Sequence, residues 1–252
     1  MAAESPRLVV GRHAVAAALA GDPASLGELL VAQGERSGAL RKLEETARAQ
    51  GVKVRRVPLA RLTELCPDGT VHQGVGLILA AAPAYTDLAE LLSRTQAAGE
   101  AALVLVADHV QDPHNLGAMI RSAAAVGAQG VVIPRDRACP LTPAVAKAAA
   151  GALPGLPVCR VTNLTQALEE MKAAGLWALA AATRGGPPPW ELDLRMPLAL
   201  VVGGEHKGVS PRLLGACDFT ASLPLAPGVE SLNASVAAGI LLFEALRQRR
   251  VV

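Results

Sequence analysis

Three stretches of this chain hold unusual polar residues. They are Asp108 to Arg121 (DHVQDPHNLGAMIR), Val201 to Ser210 (VVGGEHKGVS) and Leu223 to Gly239 (LPLAPGVESLNASVAAG). Taken singly, their polar residues have ordinary local readings. Asn115 stands at the start of a helical stretch, where an amide is a natural N-cap. Arg121 reads as a helix-surface cation paired with a carboxylate, and Glu205 as a turn carboxylate that accepts hydrogen bonds. Ser231 and Asn233 precede the last helix, where capping is their local role. Leu223 and Leu232 read as core residues. Gly203-Gly204 follows a strand and serves either a tight turn or the close approach of a ligand to the backbone. His109 and His114 are general-base candidates by residue type alone, and His114, next to Pro113, equally suits a turn.

The elements that position these stretches repeat. Leu103–Ala107, Val131–Ile133, Pro157–Val161, Trp177–Ala182 and Leu198–Val202 are continuous apolar runs of strand length. Helical patterns fall between and after them, at 116–126, 142–150 and 164–174 and from Ser210-Pro211. Buried strands alternating with helices predict a mostly parallel sheet with helices on both faces. Ligands of such sheets bind outside the carboxyl ends of the strands, where the three polar stretches fall. A last amphipathic helix is expected over 234–250. Residues 11–80 read as a smaller α/β unit: helix 11–19, extended 28–32, helix 38–50, strand 52–57, a short helix opened by Pro58, and strand 71–80. Residues 81–100, with Pro83, read as a linker with an entry helix. The expected division is thus 1–80, 81–100 and 101–252.

Composition narrows the function. Hydrophobic residues make up 51% of the 252, enough for a real core, but aromatics only 2%, which argues against modules that stack bases on several rings. No GxGxxG follows an early strand, and no GxxxxGK[ST] occurs, so the usual phosphate cradles are absent. Cys66, Cys139, Cys159 and Cys217 are scattered, with no CxxC pair and no histidine at ligand spacing, so no metal site is expected. Scattered thiols and the lack of a visible signal peptide or membrane-length apolar run suit a cytoplasmic protein. The net charge of +2 permits an RNA partner without demanding one. Residues 1–80 carry that excess, and their basic cluster Lys53, Arg55, Arg56 is either a solvated strand edge or a phosphate contact.

Together the three stretches resemble the SpoU family of RNA ribose 2'-O-methyltransferases, in the knotted SPOUT superfamily. Asn115 and Arg121 match the family's Asn-(x5)-Arg motif. Gly203, Glu205 and Gly208 match its Gly/Glu motif, and Ser231, Leu232, Asn233 and Ser235 match Ser-Leu-Asn-x-Ser. GRHAV at 11–15, VHQG at 71–74, DPHNLGA at 112–118 and RVTNL at 160–164 look like family members that methylate a guanosine in the P loop of large-subunit ribosomal RNA. The second motif departs in reading His206-Lys207 before Gly208, and Glu230 sets a carboxylate beside Ser231.

The resemblance implies a deep trefoil knot and an N-terminal domain like an RNA-binding ribosomal protein. It also implies S-adenosylmethionine as donor and a homodimer that uses the last helix, with the active site near the subunit boundary. By motif it assigns Gly203, Leu223 and Leu232 to the donor site, with Gly208 and Ala237 nearby. Arg121 becomes the residue that activates the ribose hydroxyl. Asn115, Glu205, Ser231 and Asn233 become its supporting polar set.

Overall fold

The computed structural model describes residues 8–21, 26–34, 37–66, 70–79, 85–205 and 207–250. Pro83 of the expected linker and His206 of the second motif lie outside them. By packing, the chain divides into two units: Met1–Ala84 with Leu141–Gly155, and Tyr85–Pro140 with Leu156–Val252. The division does not follow chain order, because 141–155, including helix Pro143–Ala148, groups with the N-terminal residues.

The first unit is a four-stranded sheet with helices on both faces. Its strands are β1 (Leu8–Val10), β2 (Leu26–Ala32), β3 (Lys53–Val57) and β4 (Val75–Leu79), in the spatial order β1-β4-β2-β3. β4 runs antiparallel to β1 and β2, and β2 parallel to β3. Side chains alternate across a strand. Leu29 and Val31 therefore join one cluster with Val15 of α1 (Arg12–Leu19) and Leu40 of α2 (Gly38–Ala49). Leu30 and Ala32 join another with Leu62 of α3 (Leu59–Leu65). β1 escaped the sequence reading because three residues carry no period. On edge strand β3, Lys53 and Arg55 lie 3.7 and 3.1 Å from Glu28, and Arg56 lies 2.8 Å from Glu44. Of the two readings of that basic cluster, the geometry favours a strand edge with its own ion pairs.

The second unit starts with α4 (Leu88–Ala98), the expected entry helix, capped by the Asp87 side chain, which accepts from the Glu90 N–H at 2.7 Å. Its strands are β5 (Leu103–Asp108), β6 (Gly130–Pro134), β7 (Val158–Val161), β8 (Trp177–Ala182), β9 (Leu198–Gly203) and β10 (Phe219–Ser222). All pair parallel, in the order β10-β8-β9-β5-β6-β7. Helices α5 (Pro113–Ala125), α7 (Leu164–Ala173), α8 (Pro211–Ala216) and α9 (Ala234–Arg250) accompany them; helix Pro143–Ala148 is α6. Val104, Leu105, Val106, Leu200 and Val201 are fully buried, as strands covered on both faces must be. This is the α/β architecture expected from the alternating runs. β10 was missed because Phe-Thr-Ala-Ser is short, half polar and at the sheet edge.

α5 corrects a local expectation. It begins at Pro113, and its cap is Asp112, whose side chain accepts from the His114 N–H at 2.7 Å. Asn115 is therefore an interior residue of the first turn and is buried, which frees its amide for contacts across the fold.

Arg249 near the end of α9 ties the helix to the segments that lead into β5 and β9, at the amino ends of the two central strands. Its guanidinium donates to the carbonyls of Leu194, Ala101, Ala102 and Met196 at 3.1, 2.9, 3.2 and 2.7 Å. Arg249→Ala strands partly buried carbonyls without a charged donor and should lower urea stability by roughly 1–3 kcal/mol. Arg249→Lys should recover less than half of that, since one ammonium cannot span the four acceptors. Full recovery by lysine in a urea titration would contradict the clasp.

Candidate functional site

The sheet changes winding direction between β5 and β9. From β5 the chain passes through α5 to β6 on one side. From neighbouring β9 it passes through α8 to β10 on the other. Diverging connections leave a crevice at the carboxyl ends of those two strands. The two strands end in register, Asp108 opposite Gly203, and the first two motif loops start there.

Close backbone contact holds these loops together. A Cβ on Gly203 would lie 1.9 Å from the Gly208 carbonyl carbon, and one on Gly204 would lie 2.7 Å from the His109 carbonyl oxygen. Only glycine fits either position. Gly204 and Gly208 form an isolated antiparallel bridge, so the second loop closes on itself. Asp108 clasps it at both ends. Its carbonyl accepts from the Gly204 N–H at 2.9 Å, and its Oδ2 accepts from the Ser210 N–H at 2.7 Å. Asp108 is 1% exposed, and its Oδ1 faces His109 Nδ1. The sequence reading gave Asp108 no role of its own. A carboxylate closing an apolar strand is the signal that pointed to it, because such a charge must find donors.

A second set of bonds joins all three motifs. Glu205, as a carboxylate, can only accept, so Asn115 faces it with Nδ2. Asn115 Oδ1 is then left to accept from Asn233 Nδ2 at 2.9 Å. Asn233 Oδ1 in turn accepts from the Ser235 and Val236 N–H groups at 2.9 and 3.3 Å, capping α9. Ser235 Oγ lies 2.6 Å from Asn233 Oδ1 and 3.3 Å from Asn115 Oδ1. The charge state of one carboxylate thus sets the polarity of the chain of bonds from the second loop through α5 to the start of α9.

Beside this network lies a cavity of about 790 Å³ at the ends of β8, β9 and β10 and the start of α9. Gly203, Glu205, Gly208, Leu223, Ser231, Leu232 and Ala237 all line it. Asn115 and Asn233 do not; they reach it through Glu205. Arg121 does not line it either. It is exposed on α5, six residues from Asn115 and so on another face, and it makes no side-chain hydrogen bond or ion pair among the described residues. No carboxylate partners it there, nor do Ser231 or Asn233 contact it. Arg184, after β8, was not anticipated and lines the cavity together with Lys207 and Glu230. Neither His109 nor His114 is among the lining residues. Burial pushes the Cys159 thiol up to about 11 and the Cys217 thiol up to about 12, so neither is a thiolate near neutral pH. Among the described residues, no group of three or more His, Cys, Asp or Glu could hold a metal.

Fold and site define a doubly wound α/β protein with a cavity of small-molecule size at the carboxyl ends of β8, β9 and β10 and no phosphate-gripping glycine loop. Family comparison narrows this. Residues 102–243 match the model of the SpoU rRNA methylase family, and residues 8–85 match that of the RNA 2'-O ribose methyltransferase substrate-binding domain. The chain belongs to the SpoU rRNA methylase family. It is 41% identical over 244 residues to the 23S rRNA (guanosine-2'-O-)-methyltransferase RlmB of Xylella fastidiosa, covering 97% of each chain. Among solved structures it is similar to the SpoU methyltransferase AviRb of Streptomyces viridochromogenes in complex with AdoMet. That match has a TM-score of 0.77 and 28% identity, and covers 97% of this chain and 90% of AviRb. The AdoMet-bound rRNA methyltransferase of Sinorhizobium meliloti matches with a TM-score of 0.75 and 25% identity, over 95% and 86% of the two chains.

The amide network makes a pH-signed prediction. Asn115→Asp sets a second carboxylate against Glu205. Like charges hold the protonated form of such a pair in the folded state, so the folded protein binds the extra proton and stability rises as pH falls. The variant should be destabilised by roughly 1–3 kcal/mol at pH 7, and the deficit should shrink towards pH 4. Asn115→Leu, which adds no charge, should show a deficit that changes less with pH. Equal pH profiles for the two variants in thermal unfolding would count against the Glu205 contact.

Proposed function

We propose that this protein transfers a methyl group from S-adenosylmethionine to the ribose 2'-hydroxyl of a guanosine in the P loop of 23S ribosomal RNA. The observation that carries the reading is the convergence of three separated motifs on one cavity through the Glu205–Asn115–Asn233 bonds. The RlmB relative, alike over the full length, supports the substrate. The substrate-binding match over residues 8–85 supports an RNA-holding role for the N-terminal unit.

The cavity suits the donor. Its volume is in the range of small-molecule sites. Leu223, Leu232 and Leu241 supply apolar wall, and Gly203 and Gly204 bring backbone groups close. When bound, S-adenosylmethionine supplies a methyl carbon on a positively charged sulfur. The chain's remaining task is to hold the ribose oxygen in line with that carbon and ease the loss of its proton. The Arg121 guanidinium offsets the charge that develops on the 2'-oxygen. The proton passes to water or to a phosphate oxygen of the RNA. Asn115, Glu205 and Asn233 position the loops, and Ser231 lines the wall.

The working form in this reading is a cytoplasmic homodimer. α9 carries two apolar stripes. Ala234, Ala238, Leu241, Leu242 and Ala245 are buried within the chain, while Val236, Ile240 and Phe243 stand 49%, 41% and 50% exposed at i, i+4 and i+7. A second copy covering the outer stripe would lie beside α5, which packs on α9, and so close to Arg121. Leu242 belongs to the inner stripe and is no probe of the dimer. No helix of the described residues is long and apolar enough to cross a membrane.

Arg121→Ala should lower kcat on a 23S rRNA fragment by about 10²-fold or more, with donor affinity by calorimetry within twofold of wild type. Near-normal turnover would remove Arg121 from the mechanism. Phe243→Arg should give a folded monomer with little activity. A fully active wild-type monomer at low micromolar concentration in sedimentation would sink the dimer. Mass mapping of ribosomal RNA from a strain lacking the gene should show one missing ribose methyl, and a missing methyl on transfer RNA instead would move the substrate.

A further inference from the structure

β6 and β7 end side by side on the same edge of the sheet as β5 and β9. Ile133 and Pro134 pair with Arg160 and Val161. Past Pro134 the chain runs Arg135, Asp136, Arg137, and the Arg135 N–H donates to the Val161 carbonyl at 2.7 Å, extending the ladder by one bond. Three arginines are therefore carried on or just past these two strand ends. Arg160 is held in place: its Nη2 donates to the Arg135 carbonyl at 2.7 Å, and its Cζ lies 5.3 Å from the centre of the Tyr85 ring. Arg135 and Arg137 are exposed and make no side-chain hydrogen bond or ion pair among the described residues. Asp136 between them is exposed and pairs with neither, which leaves a local charge of about +2 at neutral pH.

Among the described residues, some surface arginines of this chain meet carboxylates and others, such as Arg41, Arg121, Arg184, Arg212 and Arg250, do not. Arg48, Arg55, Arg56, Arg61, Arg94, Arg195 and Arg247 each sit within 3.1 Å of a carboxylate. The ends of β6 and β7 differ in that three arginines without carboxylates come from two adjoining strand ends. The loop that carries Arg135 and Arg137 then turns back towards the site, where the Cys139 N–H donates to the Val110 carbonyl at 2.9 Å. Val110 lies in the loop that leads from Asp108 to Asn115. The cluster is thus joined by backbone to the loop that carries the first motif.

Guanidinium groups left without carboxylates, one of them stacked on an aromatic ring, suit phosphate oxygens, which a planar fork of N–H donors meets two at a time. Phosphate contacts fix where a strand lies without reading its sequence. We propose that Arg135, Arg137 and Arg160 form a phosphate clamp on the catalytic unit, holding the RNA strand that flanks the target nucleotide. The clamp rests on the reading that the substrate is RNA. It assigns to the catalytic unit its own hold on the strand, beyond whatever the N-terminal unit provides.

The test uses the full chain and a transcribed 23S rRNA fragment, with Arg135→Gln, Arg137→Gln and the double variant. Arg160 is set aside because it also bonds backbone. Each single variant should raise KM for RNA several-fold, the double variant more, with kcat and donor affinity within twofold of wild type. Fluorescence anisotropy across about 50–200 mM salt should show the slope of log K against log salt reduced by roughly 0.7–0.9 for each phosphate that a variant no longer neutralises. Arg137→Lys should keep that slope and lose less affinity. Unchanged KM and slope in the double variant, with wild type binding and methylating the fragment, would overturn the clamp alone. Absence of salt-dependent RNA binding by wild type would overturn the RNA reading and the clamp together.

Discussion

The Asn115 side-chain amide is the joint on which the site depends. It is one of few polar side chains buried in the described residues, and burying an amide is tolerable only when its donors and acceptor are matched. Glu205 takes its N–H, and Asn233 and Ser235 supply donors to its oxygen. Those partners come from loops about a hundred residues away in sequence. The α5 position that could have been a local cap instead couples the three motif segments, because Asp112 takes over the capping.

The glycines and Asp108 do the complementary work on the backbone. At a switch point two loops leave adjacent strand ends in opposite directions, and nothing in the sheet keeps them together. Gly203 and Gly204 let the chain pass itself at distances that exclude any side chain. Asp108 supplies a buried acceptor for the far end of the same loop. From sequence, Gly203-Gly204 suits either a tight turn or a ligand approaching the backbone. In the fold the closest demand on Gly203 comes from the protein itself, and the cavity wall is a consequence of that self-contact.

Helix α9 combines three roles that a single stripe of residues could not serve. Its first turn is fastened by the amide network, its inner stripe seals the sheet, and Arg249 anchors its far end to four carbonyls. The outer stripe of Val236, Ile240 and Phe243 has no such use inside the chain. Surface arginines differ in what they meet. Those on β3 are matched with Glu28 and Glu44, whereas Arg121, Arg135 and Arg137, on α5 and after β6, are left without carboxylates.

Much of this was legible beforehand. The parallel sheet, the limits of α9 and the location of the polar loops follow from local rules: apolar runs of strand length, proline at the first helical turn, and loops at strand ends. The three motifs were read from residue type and spacing, and they name the family. β1 and β10 were not legible, because three or four residues at a sheet edge carry no period. Which group each polar residue would meet was not legible either. Asn115 had to be released from capping by Asp112, Leu242 and Phe243 had to be assigned to opposite stripes of one helix, and Arg121 had to be found outside the cavity that the other motif residues line. Residue type and spacing determine what a segment can form and donate. Partners are decided by the register of β5 against β9 and the packing of α5 on α9, contacts between segments far apart in the chain that no local pattern encodes.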